Sequence, residues 1–263
     1  MRDYMNEIET AFSETTKLLF GTELCKIDNY GSWLGRKVPL PSLAKSALSG
    51  KDVWIPPTLN YLGINFNKSK VISMEEMEKV NTSSFTAKEI ENASIKELVG
   101  KFIKPVAYFC GNFRYQNYEN FEKVSGGGGG RNVYVGEDIY LGVKNIGFSN
   151  YTLFSENMFG SYAVTHSNFC IHTYRSVSLF RCFEVDCSSN CRDLFFSHNC
   201  ENVNDSMFCF NGKNLRYAIG NVQFPPDKYK EIKAKILAEI GKELKETKTL
   251  RYGIFNIGDK YGK

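Results

Sequence analysis

The fold class this chain predicts is α+β: a helical, loop-rich N-terminal part, then a parallel β-solenoid, then a C-terminal amphipathic helix as its cap. Three observations carry that reading. The run Asn190-Cys-Arg-Asp193-Leu-Phe-Phe196-Ser-His-Asn199 is answered twelve residues later by Asn202-Val-Asn-Asp205-Ser-Met-Phe208-Cys-Phe-Asn211, so that Asn, Asp, Phe and Asn recur at one offset. A decayed third copy opens at Asn214, with Tyr217 and Gly220 at the Asp and Phe positions. Earlier starts at Asn157, Asn168 and Ser178 give spacings of 11, 10, 12, 12 and 12 residues. Short apolar stretches punctuated by Asn, Ser and Gly at a fixed period mark stacked rungs of about 10–12 residues.

The elements follow in order. Tyr4, Met5, Ile8, Phe12, Leu18 and Leu19 hold a helical rhythm over residues 2–20, and Gly21 supplies the stop. Residues 22–60 contain Pro39, Pro41, Pro56 and Pro57 with Gly31, Gly35 and Gly50, which break the segment into short extended pieces, an arm or loop-rich lobe. Ser73–Val80 reads as a short helix, and Thr86-Ala-Lys-Glu89 and Ser94-Ile-Lys-Glu97 as capping boxes. Lys104–Tyr115 reads as a strand. These pieces form a first region, 1–125.

Gly126–Gly130 is five glycines in a row. With no side chains to pack and the most backbone entropy to lose, the run reads as a flexible connector, natural or spliced in. A phosphate-cradling loop would need a Lys-Ser/Thr pair and a following helix; here Arg131-Asn-Val-Tyr-Val follows as strand. The solenoid is assigned to 131–224. Pro225-Pro226-Asp227 opens a helix with Tyr229, Ile232, Ile236, Ile240 and Leu244 on one face, whose job is to cover the last rung, and 251–258 would add one more strand, all within a last region 225–263. Phe196 and Phe208 are too large for the bore of a 12-residue turn. That favours a turn of 20–24 residues, three to four turns in all, with Asn at the corners, where it tolerates left-handed backbone and bonds along a ladder of its own kind.

For function, no catalytic signature stands out. The formal charge of +4 permits an acidic partner without calling for one. No stretch approaches 18 apolar residues, and the polar N-terminus has no signal-peptide pattern. The expected setting is therefore cytoplasm or virion, with eight reduced cysteines. The Asn-x-Ser/Thr sequons at Asn67, Asn81, Asn92, Asn150 and Asn204 are incidental there.

All three histidines (His166, His172, His198) and Cys170, Cys182, Cys187, Cys191, Cys200 and Cys209 fall within 44 residues. Cys187, Cys191, His198 and Cys200 offer four soft ligands for structural zinc. The spacing lacks a Cys-x2-Cys knuckle, and strand alternation sends some of them to opposite faces. The plainer reading is thiols filling interior positions. A Cys–His catalytic pair lacks any flanking pattern. Glu184, Asp186, Asp193 and Asp205, with Arg175, Arg181 and Arg192, would line one face, as paired carboxylates do in polysaccharide-cleaving enzymes; their repetition favours a corner role. Phe113-Arg114-Tyr115, Tyr174-Arg175 and Arg216-Tyr217 interleave rings with cations, as nucleic-acid or sugar binders do, but stacking between turns explains them too. The expectation is a non-enzymatic assembly protein: a homo-oligomer built through the aromatic-rich solenoid and the arm, as in a particle shell, fibre or viral structural component. No catalytic, cofactor or metal residue is assigned and no membrane partner is expected. A carbohydrate-binding or -cleaving β-helix and a nucleic-acid binder are the alternatives.

Overall fold

The structure, a computed structural model, describes residues 3–57, 67–80, 85–140, 142–153, 155–166, 168–174, 177–186, 189 and 191–258. A helix at Asp3–Phe20 leads into short helical turns at Ile27–Tyr30 and Gly31–Leu34. A small lobe follows. It holds the antiparallel hairpin Ser42–Lys45/Asp52–Ile55 and the parallel pair Val71–Ser73/Phe109–Gly111. Between those last strands run Met77–Val80, Ala87–Glu91 and Ile95–Ile103, the final turn a π-helix. Both expected capping boxes form, at Thr86/Glu89 and Ser94/Glu97.

From Phe113 to Gln223 the chain winds into a parallel β-solenoid of about eight turns. The register fixes the turn length. Cys170 pairs with Cys182, Phe183 with Phe195, Arg192 with Asn204 and Met207 with Ile219, each twelve residues on. Only the first rungs stretch to thirteen, as at Phe113↔Gly126 and Arg131↔Lys144. The 20–24-residue turn expected from Phe196 and Phe208 is therefore corrected to twelve. Those rings do not enter the bore; they lie outside it.

A period of three explains how so short a turn closes. From Asp193 to Gly220 every third residue has positive φ, between 46° and 58°: Asp193, Phe196, Asn199, Asn202, Asp205, Phe208, Asn211, Asn214, Tyr217 and Gly220. Two extended residues followed by one left-handed residue turn the chain a corner, so each rung has four sides of three residues. The residue after each corner faces inward. Cys191, Leu194, Ser197, Cys200, Val203, Ser206, Cys209 and Ala218 are all 5% exposed or less. Along this stretch the bore holds Cys, Ser, Val, Ala and Leu; in earlier rungs it also takes Ile139, Ile146 and Met158, with the Phe121 ring packed against it.

Left-handed backbone costs an L-residue roughly 1–2 kcal/mol, less for Asn. The corners recover part of that by bonding between rungs. Asn199 Nδ2 donates to Asn211 Oδ1 at 2.8 Å, Asn202 to Asn214 at 2.7 Å, Asn120 to Asn132 at 2.9 Å and Asn132 to Asn145 at 2.8 Å. This is the expected asparagine ladder.

Outside the wall lies a second core. On one flank Tyr134, Phe159, Ile171, Phe183, Phe195 and Met207 form a buried column under the N-terminal helix, Trp33 and the C-terminal helix Pro226–Thr247. Phe12 meets Phe159 edge-on at 5.1 Å, and Phe20 meets Phe183 at 4.8 Å. Each buried ring stabilises by roughly 1.5–3 kcal/mol. The C-terminal helix starts at the last rung, where Tyr229 packs on Tyr217 at 5.7 Å, and runs along this flank until Gly241 meets Phe20 and Thr22. Residues 251–258, expected as a strand, instead make a turn whose Asn256 side chain bonds Gly253 N–H and Arg251 C=O. Segment 22–40 also lies on its own coil, where Asn150 Nδ2 donates to Pro39 C=O.

The glycine run is part of the coil, not a connector. Gly126–Gly127 pairs with Phe113–Arg114 on one side and Ile139 on the other. A side chain at Gly128 would stand 1.4 Å from Tyr115 O, and Gly129 takes a corner at φ 75°. The run reads as floppy only when the rung beneath it is unseen.

The last rung is closed. Asn221 Oδ1 accepts from Phe210 N–H at 3.2 Å while its Nδ2 donates to Phe210 C=O at 2.8 Å. Gln223 Nε2 donates to Arg216 C=O, Phe224 N–H to Tyr217 C=O, and Val222–Gln223 folds back antiparallel on Ala218–Ile219. An open strand edge is a template for another chain, and these groups fill it.

The narrow bore has a measurable consequence. Leu194→Ala is expected to cost roughly 2–5 kcal/mol in urea unfolding followed by circular dichroism. Ser197→Phe, forcing a ring into the same space, is expected to prevent folding; native-like stability would contradict the inward placement.

Candidate functional site

The clustered acids and bases were weighed for chemistry and assigned to corners, and the twelve-residue turn decides what they do. Residues twelve apart sit directly above one another. Arg181 forks onto Asp193 at 2.8 and 3.0 Å, His198 Nδ1 lies 3.2 Å from Asp186, and Lys213 Nζ lies 2.7 Å from Glu201. Asp205 is met by Arg216 at 3.4 Å, eleven residues on. Asp186, Asp193 and Asp205 thus each meet a basic side chain of a neighbouring rung, the His198 imidazole, Arg181 and Arg216. Arg175 lies outside the described residues.

His172 and Glu184 are the most buried of these pairs. His172 Nδ1 and Glu184 Oε1 are 2.7 Å apart, with side chains 2% and 6% exposed. The imidazole packs on Trp33 at 4.6 Å, and Gly160 leaves it room, since a Cβ there would stand 2.6 Å from its Cδ2. Glu184 Oε2 accepts from Ile254 N–H at 3.2 Å. The pair joins three segments: the coil, the helical turn carrying Trp33 and the C-terminal tail. Among the described residues His172 Nε2 has no hydrogen-bond partner, and it faces the Gly160 backbone. The arrangement is a clamp.

Glu137 was not anticipated. It is 6% exposed, and its Oε2 accepts a hydrogen bond from Ser125 Oγ. Burial first, then the neighbouring Asp138 charge, raises its carboxyl to about 8, while Arg114 opposes the shift. That Arg114 guanidinium is itself committed to Phe113 C=O at 2.7 Å and Val124 C=O at 3.0 Å. Ser125 and Glu137 are twelve residues apart, the one sequence signal that would have found them.

Three of the four residues weighed for zinc are described, and these three do not converge. Cys191 and Cys200 point into the bore, 5% and 3% exposed, while His198 stands on the outer wall against Asp186. Cys187 lies outside the described residues. Among those described, no group of three or more His, Cys, Asp or Glu side chains is placed to hold a metal ion. Cys170, Cys182 and Cys209 line the bore as well, and burial pushes the Cys170 and Cys209 thiols up from their ordinary value.

The ring–cation runs also turn inward or onto each other. Tyr174 is buried against Phe255, Arg216 covers Tyr217 at 4.8 Å, and Arg114 lies 5.6 Å from the Tyr118 and Phe121 rings. Tyr115, Tyr140 and Tyr151 form a row along the coil with centroids 6.0 and 5.7 Å apart. No helix among the described residues is long and apolar enough to cross a membrane. Comparison with family models, curated proteins and solved structures gives no match.

Two measurements check these assignments. His172→Ala leaves Glu184 buried without its ring partner and is expected to cost about 3 kcal/mol. For Glu137 the folded value lies above the unfolded 4.5, so the protonated acid is favoured in the fold. Its contribution is complete below 4.5 and is lost as pH climbs through about 8. Glu137→Gln is therefore expected to flatten the fall in melting temperature across that window; an unchanged pH profile would show that Glu137 does not titrate there.

Proposed function

We propose that the chain is a non-enzymatic structural protein that assembles with further copies of itself, in a particle shell, fibre or viral structural component inside a cell or virion. One observation carries this reading: the small lobe leaves an apolar face open. Ile95, Val99 and Ile103, spaced four apart on one helical stretch, are 80%, 60% and 49% exposed. Beside them Met77, Ile90 and Val106 border a groove of about 580 Å³ floored by Ile72, Phe85 and Phe102. Large apolar side chains gathered in water mark an interaction surface.

Two further features support it. The acids and bases of the coil are spent on joining rungs and segments. The aromatic side chains of the solenoid flank are spent on the protein's own helices, which moves the expected contact from the coil to the lobe. The coil's part is rigidity: a packed bore inside, a second core outside, and bonded corners between rungs.

Light scattering coupled to size exclusion tests the proposal. The wild-type protein is expected to elute as a multimer, and Ile95→Lys with Val99→Lys as a monomer of unchanged circular dichroism. A wild-type monomer at high concentration would overturn it.

A further inference from the structure

Between the C-terminal helix, the tail and the coil lies a slot of about 390 Å³. Its floor is Phe196 and Phe208, stacked at 5.0 Å with their planes 9° apart. Ile236 and Ile240 of the helix and Leu250 and Ile257 of the tail make its walls. Glu239 and Glu243 stand at its rim one helical turn apart, and neither enters an ion pair among the described residues. Tyr252, 49% exposed, lies across the mouth.

The slot is built rather than left over. Its tail wall is pinned at four points: Arg36 Nη1 donates to Leu250 C=O at 2.9 Å, Glu243 Oε1 accepts from Arg251 N–H at 3.3 Å, Glu184 accepts from Ile254 N–H, and Asn256 bonds both Gly253 and Arg251. A volume of this size lies within the range of small-molecule pockets, which are apolar with a few fixed polar groups. The Asn256 amide is engaged by Gly253 and Arg251, and the charged groups of the slot are the carboxylates of Glu239 and Glu243, so the ligand's polar end is a cation.

We propose that this slot binds a hydrophobic primary amine, with its aliphatic or aromatic body between the helix and the Phe pair and its ammonium at Glu239 and Glu243. Carboxylate ligands of the same shape are repelled by the rim. The site is independent of assembly through the lobe.

Ligand-observed NMR with the full chain tests this, using 3-phenylpropan-1-amine and 3-phenylpropanoate as probes. The amine is expected to bind at least about fivefold more tightly than the acid, the equivalent of roughly 1 kcal/mol for an exposed charge contact. Glu239→Gln with Glu243→Gln is expected to erase that difference, and Ile236→Trp, which fills the slot, to abolish binding of both. Circular dichroism confirms that each variant is folded. Equal binding of acid and amine, amine binding that survives Ile236→Trp, or no amine binding at about 10 mM would each overturn the proposal.

Discussion

The left-handed corner at every third residue is the constraint on which the rest of this protein depends. It sets the side length at three residues and the turn at twelve. It sends one residue in three into a bore filled mostly by small and aliphatic side chains. It also stacks identical positions at one rung spacing, which is why amides meet amides and acids meet bases along the coil. The corner is costly for bulky residues, and Phe196, Phe208, Tyr217 and Phe148 all adopt it. These side chains are held where burial against helices or stacking on a neighbour offsets the strain.

Two cores result, separated by a wall one backbone thick. The inner one is made of small and aliphatic side chains, Cys, Val, Ile, Leu, Met, Ser and Ala, and holds rung to rung. The outer one is aromatic and holds the helices to the coil. His172 and Glu184 sit at the junction of the outer core with Trp33 and the tail, where a buried polar pair fixes the positions of segments that greasy contacts alone would let slide. Glu137, whose carboxyl burial raises, likewise sits against a residue of a neighbouring rung, Ser125.

The repeat, the asparagine ladder, the first helix, both capping boxes and the C-terminal helix were legible because each is a local pattern. The turn length was misjudged for a physical reason: Phe196 and Phe208 were assigned to an interior because large apolar side chains usually are interior, whereas here the wall has two apolar sides. The inner period of three, Cys191-Leu194-Ser197-Cys200-Val203-Ser206-Cys209, is written in small residues that hydropathy patterns discount. Gly126–Gly130 was misread because its purpose lies in the rungs above and below. Ser125/Glu137, His172/Glu184 and Arg181/Asp193 become visible once the sequence is folded at twelve residues. Nothing local in it marks the slot beside Phe208, which three separate segments build.

Both ends of the coil are covered by other parts of the chain. At the first rung, Asn112 N–H donates to Trp54 C=O and Met74 Sδ accepts from Arg114 N–H, so the lobe sits against that edge. At the last, Asn221, Gln223 and the fold-back of Val222–Gln223 occupy the edge groups. Growth by adding rungs end to end is obstructed on both sides, by backbone pairing at one end and side-chain amides at the other. The lobe that blocks the first rung is also the element that keeps Ile95 and Val99 in water. Blunting the coil and displaying an apolar face are then two consequences of one short segment, and under the proposed assembly the contact falls on that defined face in place of open-ended stacking.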